Sequence, residues 1–203
     1  SWRALLEAQK GSLTPEQEKE LKAKMTTLKE RLQIVAGLAG HDMKINFAIG
    51  KVSAYDFETN TYTIAATEFI KDTIEELLFT SVHEGGHRDL TRMVDKSFFE
   101  KETKRLLLNV VEDPRVNNWE SKRYKGVEKM MKASYAHYFP KDDREKWSNE
   151  KVLPHEQFGA ALIYEWAYGV PCPSVQDPVV LEVLDKTRDA AKRAYNLIPQ
   201  TLF

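Results

Sequence analysis

The chain has 203 residues, 42% hydrophobic and 30% charged, enough for one domain, or two closely packed subdomains, with a real core. Its formal net charge of −1 leaves no nucleic-acid footprint, and no apolar run reaches the ~20 residues of a membrane span. With no signal-peptide pattern at the start and Cys172 the single cysteine, an internal disulfide is excluded and a cytoplasmic protein is expected.

The first predicted element is a helix over residues 14–40. Thr14 suits its cap, Pro15 its first turn and Gln17 a capping-box partner. Leu21, Met25, Leu28, Leu32 and Val35 form one apolar stripe, and Gly37 and Gly40 mark the exit. Partial alternation predicts a strand over Lys44–Ile49. Two more, Tyr55–Phe57 and Tyr62–Ala66, flank a turn at Glu58-Thr59-Asn60-Thr61.

A helix from Thr67 to Met93 is predicted next. Ile74, Leu77, Leu78, Ser81 and Val82 share one side of it, while His83 and His87 point away from them. This helix carries His83-Glu84-Gly85-Gly86-His87, an H-E-x-x-H pattern. Histidines four apart stack on one helix face, so both imidazoles can reach one metal ion. Glu84, beside them, is placed to act as general base toward a metal-associated water. Zinc suits imidazole and carboxylate ligands. Gly85-Gly86 is poor helix material, costing about 1 kcal/mol per glycine against alanine, and close approach of another backbone would explain the pair.

Ser97 and Glu100 predict the start of a further helix. The uncharged run Leu106–Val111 implies a buried segment, and Pro114 is expected to kink or end it. Glu112 follows that run. A carboxylate there is costly to bury unless it meets a proton, a cation or a metal, so Glu112 is the expected third metal ligand. Arg115 and Arg88 are the salt-bridge alternatives. Asp113 competes for the ligand role, or could accept a hydrogen bond from a ligand histidine. Helices over 126–138, 154–168 and 176–196 complete the chain, separated by Pro140, Pro154 and Pro171-Cys172-Pro173.

Taken together, His83-Glu84-Gly85-Gly86-His87 and the later Asn109-Val110-Val111-Glu112-Asp113-Pro114-Arg115-Val116-Asn117 resemble the gluzincin metallopeptidases. They are similar in particular to the minigluzincins and to metallopeptidase domains associated with von Willebrand A modules. The resemblance covers about residues 43–118. It implies an α+β, predominantly helical, zincin-like fold, with a small sheet or hairpin packed on an active-site helix and a glutamate helix. One metallopeptidase-like domain over 1–203 is expected, made of a helical segment 1–42, a core 43–124 and a helical segment 125–203.

The implied activity is hydrolysis of a peptide or protein substrate with one Zn2+ per chain held by His83, His87 and Glu112. Glu84 would take a proton from the attacking water and pass it to the leaving amine. The segment Tyr62–Ala66 would be the edge strand to which a peptide adds. Tyr124, Tyr135, His137 and Tyr138 are candidates to stabilise the oxyanion, and Asp113, Asn109 and Asn117 to orient the ligands. Thermolysin-like members carry an acid four residues after the glutamate ligand, where this chain has Val116.

Two other readings accompany the peptidase. One is a zinc-binding interaction or assembly module without proteolysis. The other is a latent peptidase whose apolar tail, Leu197–Phe203, folds into a cleft of its own or a neighbouring molecule and so supports self-association. No membrane partner, nucleic acid or further cofactor is expected.

Overall fold

The computed structural model of the chain describes residues 14–91, 101–141 and 152–197. The expected helix start at Ser97 and Glu100, the positions of Trp2, Met93 and Trp147, and residues 198–203 of the tail lie outside these. Among the described residues the protein is predominantly helical with one small mixed sheet, an α+β arrangement. Two compact units divide the chain, residues 1–91 and 92–203. No described helix is long and apolar enough to cross a membrane.

In the first unit, α1 (Pro15–Ala39) buries Leu28, Leu32 and Ala36, which recur every four residues and so share one face. Met25 packs at the margin of the same cluster. The helix closes where Gly40 donates its N–H to Ala36 O at 2.8 Å, and His41 turns the chain at a φ of 50°. Three strands follow: β1 (Asn46–Gly50), β2 (Ala54–Asp56) and β3 (Thr61–Ala65).

The tight turn between β2 and β3 is set by its polar side chains. Asp56 Oδ1 accepts the N–H of Glu58 at 2.9 Å, and Asn60 takes a positive φ of 51°, which asparagine tolerates well. The sheet order is β1-β3-β2, with β3 parallel to β1 and antiparallel to β2. Tyr62–Ala65 therefore belongs to the central strand. The expectation of a peptide-accepting edge there is corrected, because hydrogen-bonding groups on both sides of β3 are already used.

The helix expected from Thr67 to Met93 is in fact two. A short α2 (Ala66–Lys71) stops at Asp72, and α3 (Ile74–Leu90) begins afresh. Thr73 forms a reciprocal capping box with Glu76: its hydroxyl accepts the Glu76 N–H at 3.2 Å, and Glu76 Oε2 accepts the Thr73 N–H at 2.7 Å. An extended Asp72 and a satisfied new N-terminus are thus more stable here than a continuous helix. Leu77, Ser81 and Val82 are buried as expected, whereas Ile74, in the first turn, is 47% exposed. Leu77 joins Ile45, Tyr62, Ile64 and Phe69 over the α1 stripe to form the core of this unit.

The second unit contains α4 (Glu102–Arg123), α5 (Val127–Tyr138), α6 (Pro154–Tyr168) and α7 (Pro178–Tyr195). Proline stands at the first turn of α6 and of α7. Asp177 caps α7 by accepting the Val179 N–H at 2.8 Å. The core joins Val110 of α4 to Leu162 and Ile163 of α6, Leu184 and Tyr195 of α7, and the buried Cys172. Arg188 of α7 forks onto Glu165 of α6 at 2.7 and 3.0 Å.

Two expectations for α4 are corrected, that Pro114 ends the helix and that Leu106–Val111 is a buried run. Pro114 does not end the helix but sits inside it. The lost N–H and ring clash cost about 3 kcal/mol, and the burial of Pro114, Val116, Asn117 and Glu120 along that stretch opposes the loss. The run Leu106–Val111 is also less buried than its composition implies. Leu107 is exposed and Val110 alone of the six is fully inside, because the buried part of α4 lies further on.

Candidate metal centre

α3 brings His83 and His87 together, as the i, i+4 spacing requires. Their Nε2 atoms lie 3.1 Å apart, and the rings meet nearly edge to face with centroids 4.6 Å apart. Two imidazoles bound to one tetrahedral zinc at about 2.0–2.1 Å would have their nitrogens ~3.3 Å apart. The pair therefore fits that ion without rearrangement of the helix. Both histidines are half-buried and belong to side chains whose ligand atoms are close enough to hold a metal ion. Phe79, one turn before His83, places its ring centroid 6.1 Å from that imidazole.

His87 is held from its other side as well. Its Nδ1 lies 2.8 Å from Thr91 Oγ1, one turn further along the chain. Thr91 also closes α3, donating its backbone N–H to His87 O at 3.0 Å. The spacing 83, 87, 91 was a sequence signal for this contact, but a threonine after two histidines does not announce itself as a histidine partner.

Glu84 is buried, at 5% exposure, next to the buried Gly85 and Gly86. It acts electrostatically on Tyr62 of β3. Burial raises the Tyr62 phenol well above the usual tyrosine range, the Ser81 hydroxyl opposes the shift, and the Glu84 charge adds to it. The Tyr62 and Ser81 oxygens are 3.4 Å apart, and Ser81 donates to Leu77 O at 2.9 Å. Tyr62 thus stays a neutral hydroxyl in the floor beneath α3.

The expected reason for Gly85 is present in the fold. A Cβ built on Gly85 would stand 2.3 Å from Ala36 O of α1, so only hydrogen allows the two helices to approach this closely. Arg88 lies 3.2 Å from Asp42 and pairs with it. His41 Nδ1 is 3.6 Å from Asp89 Oδ1.

The remaining predicted site residues belong to the second unit. Glu112 is forked by Arg115, whose Nε and terminal nitrogen donate to the two carboxylate oxygens at 2.8 and 2.6 Å. Both side chains are largely buried. A carboxylate so held keeps further lone-pair positions. Asp113 acts on Tyr135: burial first, and then the Asp113 charge, raise the phenol above its usual range.

Asn117 is buried and donates its Nδ2 to Tyr135 Oη at 3.1 Å, while Asn109 is exposed. Val116 is a core residue at 0% exposure, so the position where thermolysin-like members carry an acid serves packing here.

The aromatic candidates divide by environment. The Tyr135 ring packs against Trp166 and Phe139, whereas the exposed His137 and Tyr138 stack on each other at 4.8 Å. Tyr124 caps α4 under the Arg123 guanidinium. Trp166 Nε1 donates to Asn118 Oδ1 at 3.0 Å, a packing role. Among known protein families, curated proteins and solved structures, none matches the chain.

Proposed function

We propose that this chain is a zinc-dependent metallopeptidase of the gluzincin type, acting on a peptide or protein substrate in the cytoplasm. The observation that carries the reading is the His83–His87 pair, with Nε2 atoms 3.1 Å apart on a helix that also holds a buried Glu84. In this reading His83 and His87 would hold one zinc ion, and Glu112 is the third ligand that the sequence resemblance implies. Bound zinc supplies Lewis acidity, polarising a carbonyl and bringing the pKa of water to about 7. Glu84 takes the proton of the attacking water and delivers it to the departing amine.

Glu84 is buried on the same helix, one residue after His83. Thr91 Oγ1 lies on the Nδ1 side of His87, and Nε2 of that ring faces His83.

The fork from Arg115 onto Glu112 favours a second reading, a zinc-binding assembly module without proteolysis, in which Glu112 is structural. One experiment separates the two. Metal content and cleavage of a peptide library are measured for the wild type and for Glu84→Gln. About one zinc per chain in both proteins, with cleavage only by the wild type, supports the peptidase. Zinc in both with no cleavage by either supports the assembly module. Failure of the wild type to take up zinc refutes both.

A further inference from the structure

We infer that Thr91 is a positioning residue for the metal centre, selecting the His87 tautomer that carries its proton on Nδ1 and a lone pair on Nε2. This rests on the zinc reading for its purpose, though not for its geometry. A neutral imidazole carries one proton, so a ring that ligates through Nε2 must carry it on Nδ1. That N–H then needs an acceptor. Thr91 Oγ1, 2.8 Å from His87 Nδ1, is placed to be one.

The local fold makes the contact dependable. Thr91 is the C-terminal cap of α3, with an extended backbone (φ −78°, ψ 130°), and its N–H is tied to His87 O. Main chain and side chain of Thr91 thus grip the same residue. The threonine is β-branched, with few rotamers to lose when it does so. In the metal-free chain His83 Nε2 can donate to His87 Nε2 across the 3.1 Å between them, an arrangement that needs the same His87 tautomer. In that arrangement only His83 would have to move its proton when an ion enters.

Chemistry of this kind is normally assigned to a carboxylate or carbonyl, and loss of such a partner typically weakens metal binding about 10–100-fold. A hydroxyl is a weaker acceptor, so the lower part of that range is expected.

The test uses the full chain as wild type, Thr91→Val and Thr91→Ser. Zinc affinity is measured by competition with a chromophoric chelator. The His87 tautomer is read in the metal-free proteins from long-range 1H–15N correlations of the imidazole. Support consists of an Nδ1–H tautomer for His87 in the wild type, loss of that preference in Thr91→Val with zinc affinity down about 10-fold, and recovery of both in Thr91→Ser. A wild-type His87 in the Nε2–H form overturns the inference, and so does a Thr91→Val protein that keeps both tautomer and affinity. If the wild type takes up no zinc, the zinc reading fails, and the tautomer comparison still decides what Thr91 does.

Discussion

Replacing Gly85 with alanine tests whether the crossing of α1 and α3 dictates the glycine in the histidine motif. The added Cβ would lie 2.3 Å from Ala36 O and 3.0 Å from Ala36 C and Cα. Ordinary contact begins near 3.4 Å, so the helices must separate by about 1 Å at this point. The obstacle is backbone, which cannot swing aside as a long side chain would. Overpacking of a closed core costs about 1–3 kcal/mol, occasionally more, and this geometry belongs at the upper end. Alanine returns about 1 kcal/mol through its better helix propensity.

The expected net loss from Gly85→Ala is about 2 kcal/mol in the first unit. Native-state hydrogen exchange of slowly exchanging α1 and α3 amides is a suitable assay, because it reads opening of this unit separately from the other. Unchanged protection, or a gain of about 1 kcal/mol as propensity alone would give, would refute the close-approach argument.

The Asp42 carboxyl is held below the usual carboxylate range chiefly by the Lys44 N–H, with help from Asn60 and Arg88. A depressed folded-state value means a contribution complete above the unfolded pKa of about 3.9, and lost as pH falls through the folded value. Asp42→Asn should therefore be less stable than wild type at pH 6, with the gap narrowing as the pH is lowered to 3. Urea unfolding at the two pH values checks this, and a constant gap would count against it. Tyr195 Oη is buried with no hydrogen-bond partner among the described residues, and burial followed by the Glu165 charge pushes the phenol up to about 12. Tyr195→Phe should be neutral or stabilising by up to about 1 kcal/mol; a loss of that size on thermal unfolding would reveal a partner for the hydroxyl.

Much of the architecture could be read from the order of residues, because local chemistry and burial agree there. The α1 stripe, the hairpin turn and the helices beginning at Pro154 and near Pro178 all have a periodic apolar face or a proline at a permitted position. The histidine pair was legible for the same reason, since spacing alone fixes neighbours on a helix. Sequence and structure part where two signals compete. The capping box of Thr73 and Glu76 was hidden inside a longer apolar periodicity. Pro114 has a strong local preference that the packing of α4 overrides. Strand order was beyond reach, because a hairpin pattern shows that β2 and β3 pair but not which of them takes β1 as its other neighbour. The sequence marks Glu112 as a carboxylate in need of a partner, and Arg115, one turn away, forks onto it.

The sheet order also biases the order in which the strands can pair. Asp56 and Thr61 are joined by a turn of four residues, whereas Asn46 must find Thr61 across fourteen. Loop-closure entropy alone makes the longer connection costlier by about 1 kcal/mol. The shorter closure favours the hairpin first, with β3 as the template onto which β1 docks from upstream. Until that strand arrives, Tyr62 and Ile64 lack much of their cover, and the histidine helix has no finished floor to rest on. The face of α3 that carries His83 and His87 would then be among the last parts of this unit to mature, with the two histidines on a helix not yet anchored.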